Sequence, residues 1–323
     1  MKKFILMILL ISFLTVALPF LLVKNFSKPV SPINSQTKKL SVYVHDEDKV
    51  VEMSVNQYLR EVVAAEMPAE FNVEALRAQA IAARTYLVNR INYYESAGTP
   101  AEHKGAYTCT DATHCKAWIS EKKRKELWGK EKSNEYWKKI SDAVDSTGNL
   151  IITYNNEPIS AVFHSTSSGY TESAKDVWGG DAQYLKSVRS EGEEKSPKYN
   201  SQKIYTREEF NKIATEKIPG VTFANYTFGN ITRSEAGGIL TIDIGGVNVK
   251  GTDFRFIFDL QSTNVAIQES DDEIVFNVVG YGHGVGMSQY GANHLASEGK
   301  NYEDILKTYY SGVSISEWEG SFK

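Results

Sequence analysis

Cysteine is nearly absent. The 323 residues hold two, Cys109 and Cys115, so a cystine-rich scaffold is excluded. An excess of basic charge is missing as well. Lys and Arg number 36 against 40 Asp and Glu, for a net charge of -4, which argues against a nucleic-acid partner because such a partner is held by a basic face. There is no GK[ST] phosphate loop and no GxSxG serine elbow, so neither a nucleotide site nor an α/β-hydrolase triad is expected. Long apolar runs are missing with one exception, FILMILLISFLTVALPFLLV at residues 4–23. Twenty residues span a bilayer core as a helix.

That run and the preceding Lys2 and Lys3 read as a retained transmembrane anchor, residues 1–23. Its N-terminus is cytoplasmic by the positive-inside rule, and the rest of the chain lies outside the cytoplasm. A cleaved signal peptide is the alternative, but no small-x-small cleavage site follows. Residues 24–39, KNFSKPVSPINSQTKK, lack periodicity and form a tether. The remainder, 40–323, reads as one α+β domain.

LSVYVH alternates as a strand and KVVEMSV is its partner, with Ser54 capping a helix that Pro68 stops near Glu66. A second helix runs from Asn72 to about Tyr93. Residues 95–130 are less regular, with SEKKRKELWGKEK a solvated charged face, and NEYWKKISDAV is helical again. LIITYNNEPISAVFHS reads as a hairpin turning at Asn155 and Asn156. Thr206 and Glu209 form a capping box, GILTIDIGGVNVKG is a hairpin, EIVFNVVG a strand, and NYEDILKTYY a last helix.

Four stretches carry chemistry. In REVVAAEMPAEF, Glu66 follows Leu59 by seven positions and Val62 by four, which puts an acid on an apolar helix face. Desolvation there raises a carboxyl pKa towards the range a general acid needs; the ordinary alternative is a Glu at a fraying helix end that turns out to water. EHKGAYTCTDATHC brings His103, Cys109, His114 and Cys115 within thirteen residues. Two thiolates and two imidazoles suit a closed structural zinc, and a Cys109–Cys115 disulfide is the alternative. FHSTSSGYTES, at 163–173, offers His164, Ser165, Ser167, Ser168, Tyr170 and Glu172 on a loop suited to hydrogen-bonding a sugar. VVGYGHGVGMSQYGANHLA places glycines around Tyr281 and His283 ahead of a helix opening at Met287, Ser288 and Gln289.

AAEMP with EALRAQAIAARTY, then FHSTSSGYTES with VWGG, then GTDFRFIFDL and GYGHGVGMSQYGA, in that order, resemble the stage II sporulation protein D family over about residues 40–315. That family includes membrane-anchored lytic transglycosylases that cleave glycan strands during engulfment in sporulation, and relatives described as amidase enhancers. The resemblance implies that Glu66 is the catalytic acid and base, acting between N-acetylmuramic acid and N-acetylglucosamine with no cofactor needed for catalysis. It implies also that His164, Ser165, Ser168, Tyr170, His283 and Gln289 stand on the loops that line a glycan groove. The implied partners are peptidoglycan glycan strands, the sporulation amidase stage II sporulation protein P, and the membrane protein stage II sporulation protein M. A non-enzymatic amidase enhancer and a lysozyme-type hydrolase remain open, the latter with Glu70 or Glu172 as second carboxylate.

Overall fold

The computed structural model describes residues 39–223 and 227–319. The anchor and nearly all of the tether lie outside them. Among the described residues no helix is long and apolar enough to cross a membrane.

The expected first hairpin is β1 (Lys39–Val44) against β2 (Lys49–Ser54). The Ser54 hydroxyl accepts from the Gln57 amide and caps α1 (Val55–Glu66). Pro68 denies its predecessor helical geometry, and Met67 is extended at φ -120°, ψ 144°, so α1 ends on Glu66. Asn72 caps α2 (Val73–Ala97), which continues past Tyr93 until Gly98 stops it. Helix α2 is buried on almost every side, as a helix without a polar face must be. Its alanines at 75, 78, 80, 82 and 83 let neighbours approach closely.

Strand β3 (Thr108–Cys109) adds to β1 in parallel. Helix α3 (Glu121–Ser146) corrects the expectation of irregular chain up to residue 130. Its first part is helical despite lacking an apolar stripe, because Lys, Glu and Leu favour helix and Ser120 caps it, and Gly129 at φ +78° kinks it. Strand β4 (Leu150–Tyr154) turns at Asn155 and Asn156, both at positive φ as a two-residue hairpin requires, into β5 (Glu157–Pro158). Pro158 cannot extend the ladder, so the expected second strand stops after two residues. The chain resumes at β6 (Phe163–His164) and α4 (Ala174–Trp178).

Next come β7 (Asn200–Thr206), α5 (Arg207–Lys217) with its capping box, β8 (Phe228–Arg233), β9 (Ile239–Ile244), β10 (Val247–Lys250), α6 (Gly251–Ile257), β11 (Val265–Glu269) and β12 (Glu273–Val279). They make two three-stranded antiparallel sheets, ordered β10-β9-β8 and β11-β12-β7. Both enclose a core of Phe210, Phe254, Phe258 and Phe276, with Phe210 stacked on Phe258 at 4.7 Å between centroids. Strand β13 (Met287–Ser288) pairs in parallel with β6, so α7 (Gln289–Ser297) opens at Gln289 rather than at Met287. Helix α8 (Tyr302–Tyr309) and β14 (Ser314–Glu317), which pairs with β4, close the larger core around α2.

Helix α7 approaches α8 through Gly291. A Cβ there would lie 2.1 Å from the Tyr309 hydroxyl and 2.3 Å from that of Ser190, both buried and bonded to each other at 2.7 Å. Gly291→Ala is expected to cost about 1–3 kcal/mol through overpacking. The loss is read as a lower urea midpoint at unchanged m-value.

Candidate active site

Glu66 lines an open groove of about 880 Å³. Glu66 is placed by the corner between α1 and α2. That corner is fastened to α7, since the Asn293 side chain accepts from the Asn72 amide at 2.8 Å and the Asn72 side chain donates to the Ala296 carbonyl at 3.3 Å. Phe71 meets Tyr290 edge-on at 5.0 Å. The N-terminal residue of α7, Gln289, is thereby aimed at Glu66, and its Nε2 donates to Oε2 at 3.1 Å.

A second segment closes over Glu66 from the other side. Glu61, buried on α1, accepts from Trp118 Nε1 at 2.9 Å and from the Glu121 amide at 3.2 Å. This fixes residues 117–121 along α1, and the Ala117 amide donates to Glu66 Oε1 at 3.2 Å. Lys116 Nζ stands 3.9 Å from the ring centre of Phe163 and 4.2 Å from that of Tyr86. Burial raises the Glu66 pKa and outweighs three opposing effects, the Lys116 charge and the hydrogen bonds from Gln289 and Ala117. Burial likewise draws Lys116 down to about 8, against the pull of Glu66.

Lys116 follows Cys115, so the cysteine and histidine cluster sets where it goes. Ligand atoms of His103, Cys109, His114 and Cys115 all lie within 4.8 Å of one another, and both thiols are free. His103 Nε2 is 3.0 Å from His114 Nδ1 and 3.3 Å from Cys115 Sγ, and Cys109 Sγ is 3.6 Å from His114 Nδ1. A tetrahedral zinc with bonds of about 2.0–2.3 Å needs edges of roughly 3.3–3.8 Å, so the donor set fits. His103 Nδ1 faces the Ala106 carbonyl at 3.1 Å, the outer hydrogen bond that leaves Nε2 free for a metal.

The structure brings Glu66, His164, Ser165, His283 and Gln289 to this groove. Both nitrogens of buried His164 are taken by the protein: Nδ1 donates to the Val285 carbonyl at 3.2 Å and Nε2 accepts from Ser167 Oγ at 2.8 Å. Burial lowers its pKa to about 4, so it is neutral and ties the glycine-rich loop down. His283 Nδ1 accepts from the Val285 amide at 3.1 Å, and its ring lies 5.2 Å from that of Trp178. Ser168 and Tyr170 do not line the groove. Beyond Ser167 the chain turns to bond residues 188–190, with the Thr171 amide donating to Val188 and Ser190 to Gly169, and this carries both side chains to a separate crevice.

Glu172 faces away from the groove as well. Glu70 reaches the groove but is exposed, and its carboxylate is held below the ordinary range by the Tyr136 hydroxyl, which donates at 2.7 Å. Sequence reasoning missed Lys116, Glu61 and the Ala117 amide. Their only signal was position, since Lys116 and Ala117 directly follow the cysteine and histidine cluster.

Residues 43–154, which hold Glu66, Lys116 and the four cluster residues, match the family model described as Stage II sporulation protein. The chain is 40% identical over 295 residues to Stage II sporulation protein D of Bacillus subtilis, covering 91% of this chain and 83% of the relative. It is also 40% identical over 277 residues to the protein of that name from Bacillus amyloliquefaciens, covering 85% and 78%. A more distant relative, 24% identical over 311 residues and covering 80% of this chain and 40% of its own length, is the Amidase enhancer of Bacillus subtilis. With such identity over most of both chains, this protein belongs to the stage II sporulation protein D family.

Proposed function

We propose that the protein is a lytic transglycosylase that cuts the β-1,4 bond between N-acetylmuramic acid and N-acetylglucosamine in peptidoglycan. One observation carries this reading: of the two acids that line the groove, Glu66 is half-buried and bound by the Gln289 side chain and the Ala117 amide, whereas Glu70 is exposed and bound by Tyr136. A hydrolase needs a second carboxylate at about 5–9.5 Å as nucleophile or base. A transglycosylase does not, because the sugar supplies its own nucleophile.

Protonated Glu66 donates to the leaving glycosidic oxygen. The resulting carboxylate takes the proton of the muramic C6 hydroxyl, whose oxygen closes on C1 to form a 1,6-anhydro ring. Gln289 can serve both states, since an amide donates to a carboxylate and, turned over, accepts from a carboxylic acid. Lys116 steadies the negative charge that appears on Glu66 between the two steps. His103, Cys109, His114 and Cys115 would hold a structural zinc, which would fix the segment that presents Lys116 and the Ala117 amide. In this reading the sporulation amidase strips stem peptides from the strand beforehand, and residues 4–23 keep the enzyme at the membrane.

The name of the amidase enhancer relative supports a second reading, in which the groove presents glycan without cutting it. Glu66→Gln separates the two. Turnover of peptide-free glycan is expected to fall by about 10²–10⁴, whereas an enhancer keeps its effect. Mass spectrometry of the products should find 1,6-anhydro ends; reducing ends would identify a hydrolase instead.

The reacting acid must be protonated, so kcat/KM should fall as pH rises through the Glu66 pKa. That alkaline limb lies above the ordinary value of 4.5, because burial raises the group. Lys116→Met and Gln289→Leu each remove a contact that favours the carboxylate, and both are expected to move the limb to still higher pH. Zinc makes its own prediction. Protein purified without reductant should carry about one zinc per chain, and Cys109→Ser should lose the metal and lower Tm; a stoichiometric Cys109–Cys115 disulfide would contradict it.

A further inference from the structure

A second cleft of about 480 Å³ is lined by Trp178 but by neither Glu66, His283 nor any residue of the cysteine and histidine cluster. Trp178, 51% exposed at the end of α4, borders both this cleft and the groove that holds Glu66. Deep in the cleft stands Glu172, 6% exposed. Its amide donates to the Gly284 carbonyl at 2.8 Å, which anchors it on the glycine-rich loop. Oε1 accepts from the Gly238 amide at 3.2 Å, an approach that a Cβ at Gly238 would disturb, since it would lie 2.3 Å from that oxygen and force the carboxylate to shift.

Oε2 is buried and makes no hydrogen bond of good geometry, although the Ser234 hydroxyl stands close enough to the carboxyl to favour its charged form. Leaving such an atom unpaired costs about 1–3 kcal/mol, which a ligand at this position would recover. Burial also raises the Glu172 pKa, so a partner able to meet either an acid or a carboxylate suits it.

The rest of the lining says what kind of ligand that is. Asp176 and Asp253 with Glu172 outnumber Lys175 and Lys250, which disfavours an anion. A metal ion is disfavoured too, because among the described residues the only group of three or more side chains placed to hold one is the cysteine and histidine cluster. An exposed indole face, threonine hydroxyls at 241, 252 and 263, and acidic acceptors together fit a pyranose, whose C–H face packs on an aromatic ring while its hydroxyl and amide groups seek polar partners.

We propose that this cleft is a second sugar subsite, which takes an N-acetylated hexosamine ring of the same glycan strand beyond Trp178 from the bond at Glu66, with Glu172 Oε2 paired to its acetamido group. The subsite rests on the glycan-cleaving reading above and extends it. A strand that occupies both concavities is held on each side of the Trp178 wall, so longer strands bind better than short ones.

The test is calorimetric titration of the full chain in mild detergent, carrying Glu66→Gln to block turnover, with the trimer and the hexamer of β-1,4-linked N-acetylglucosamine. The hexamer is expected to bind at least tenfold more tightly than the trimer. Glu172→Leu should bring the hexamer within threefold of the trimer and change trimer affinity less than twofold. Asp253→Ala, at an exposed position where folding is not at risk, should erode the same advantage. Equal affinity for the two lengths, or a hexamer advantage that survives both substitutions, overturns the subsite while the glycan reading stands. Binding of neither length overturns both.

Discussion

The site depends on one constraint, that both oxygens of a single carboxylate at the end of a helix are held by donors from distant parts of the chain. The Ala117 amide reaches Glu66 from 51 residues away and the Gln289 side chain from 223. Each donor is itself the end of a longer structural argument. Ala117 is where it is because Glu61, five residues before Glu66 on α1, binds the segment that follows. Gln289 is where it is because Asn72 and Phe71, just past Pro68, fasten the same corner to α7.

The electrostatics of the groove are a contest that burial wins. Two hydrogen bonds and a lysine favour the carboxylate of Glu66, yet desolvation shifts it the other way. A carboxyl so placed is easier to protonate than one in water, while its charged form still has partners. Lys116 is kept from forming a tight ion pair by its seat between the Tyr86 and Phe163 rings, whose faces attract the cation. The cysteine and histidine cluster, which ends at Cys115, sets where that lysine enters the groove.

Much of the local structure was legible in the sequence. The stop at Glu66 followed from Pro68, the caps at Ser54, Asn72 and Thr206 from their side chains, and the turn at Asn155 and Asn156 from residues that tolerate positive φ. Helix α3 was not legible in its first half, because periodicity reports a buried face and that half is largely solvated. The polar loop at 163–173 was legible only in part. Ser168 and Tyr170 belong to the same polar run as His164 and Ser165, and only the pairing of residues 169–171 with 188–190 shows that the run divides between two surfaces.

By itself the sequence determined where an unusual acid stands on a helix, which four donors crowd one short segment, and which ordered motifs mark the family. These are properties of neighbouring residues and of their spacing. The tertiary structure decided that Gln289 serves the acid, that Glu70 is drawn off by Tyr136, that Lys116 enters the site, and that Glu172 belongs to another cleft. Those outcomes depend on contacts between segments far apart in the chain, and no local pattern encodes the distance across which two buried groups finally meet.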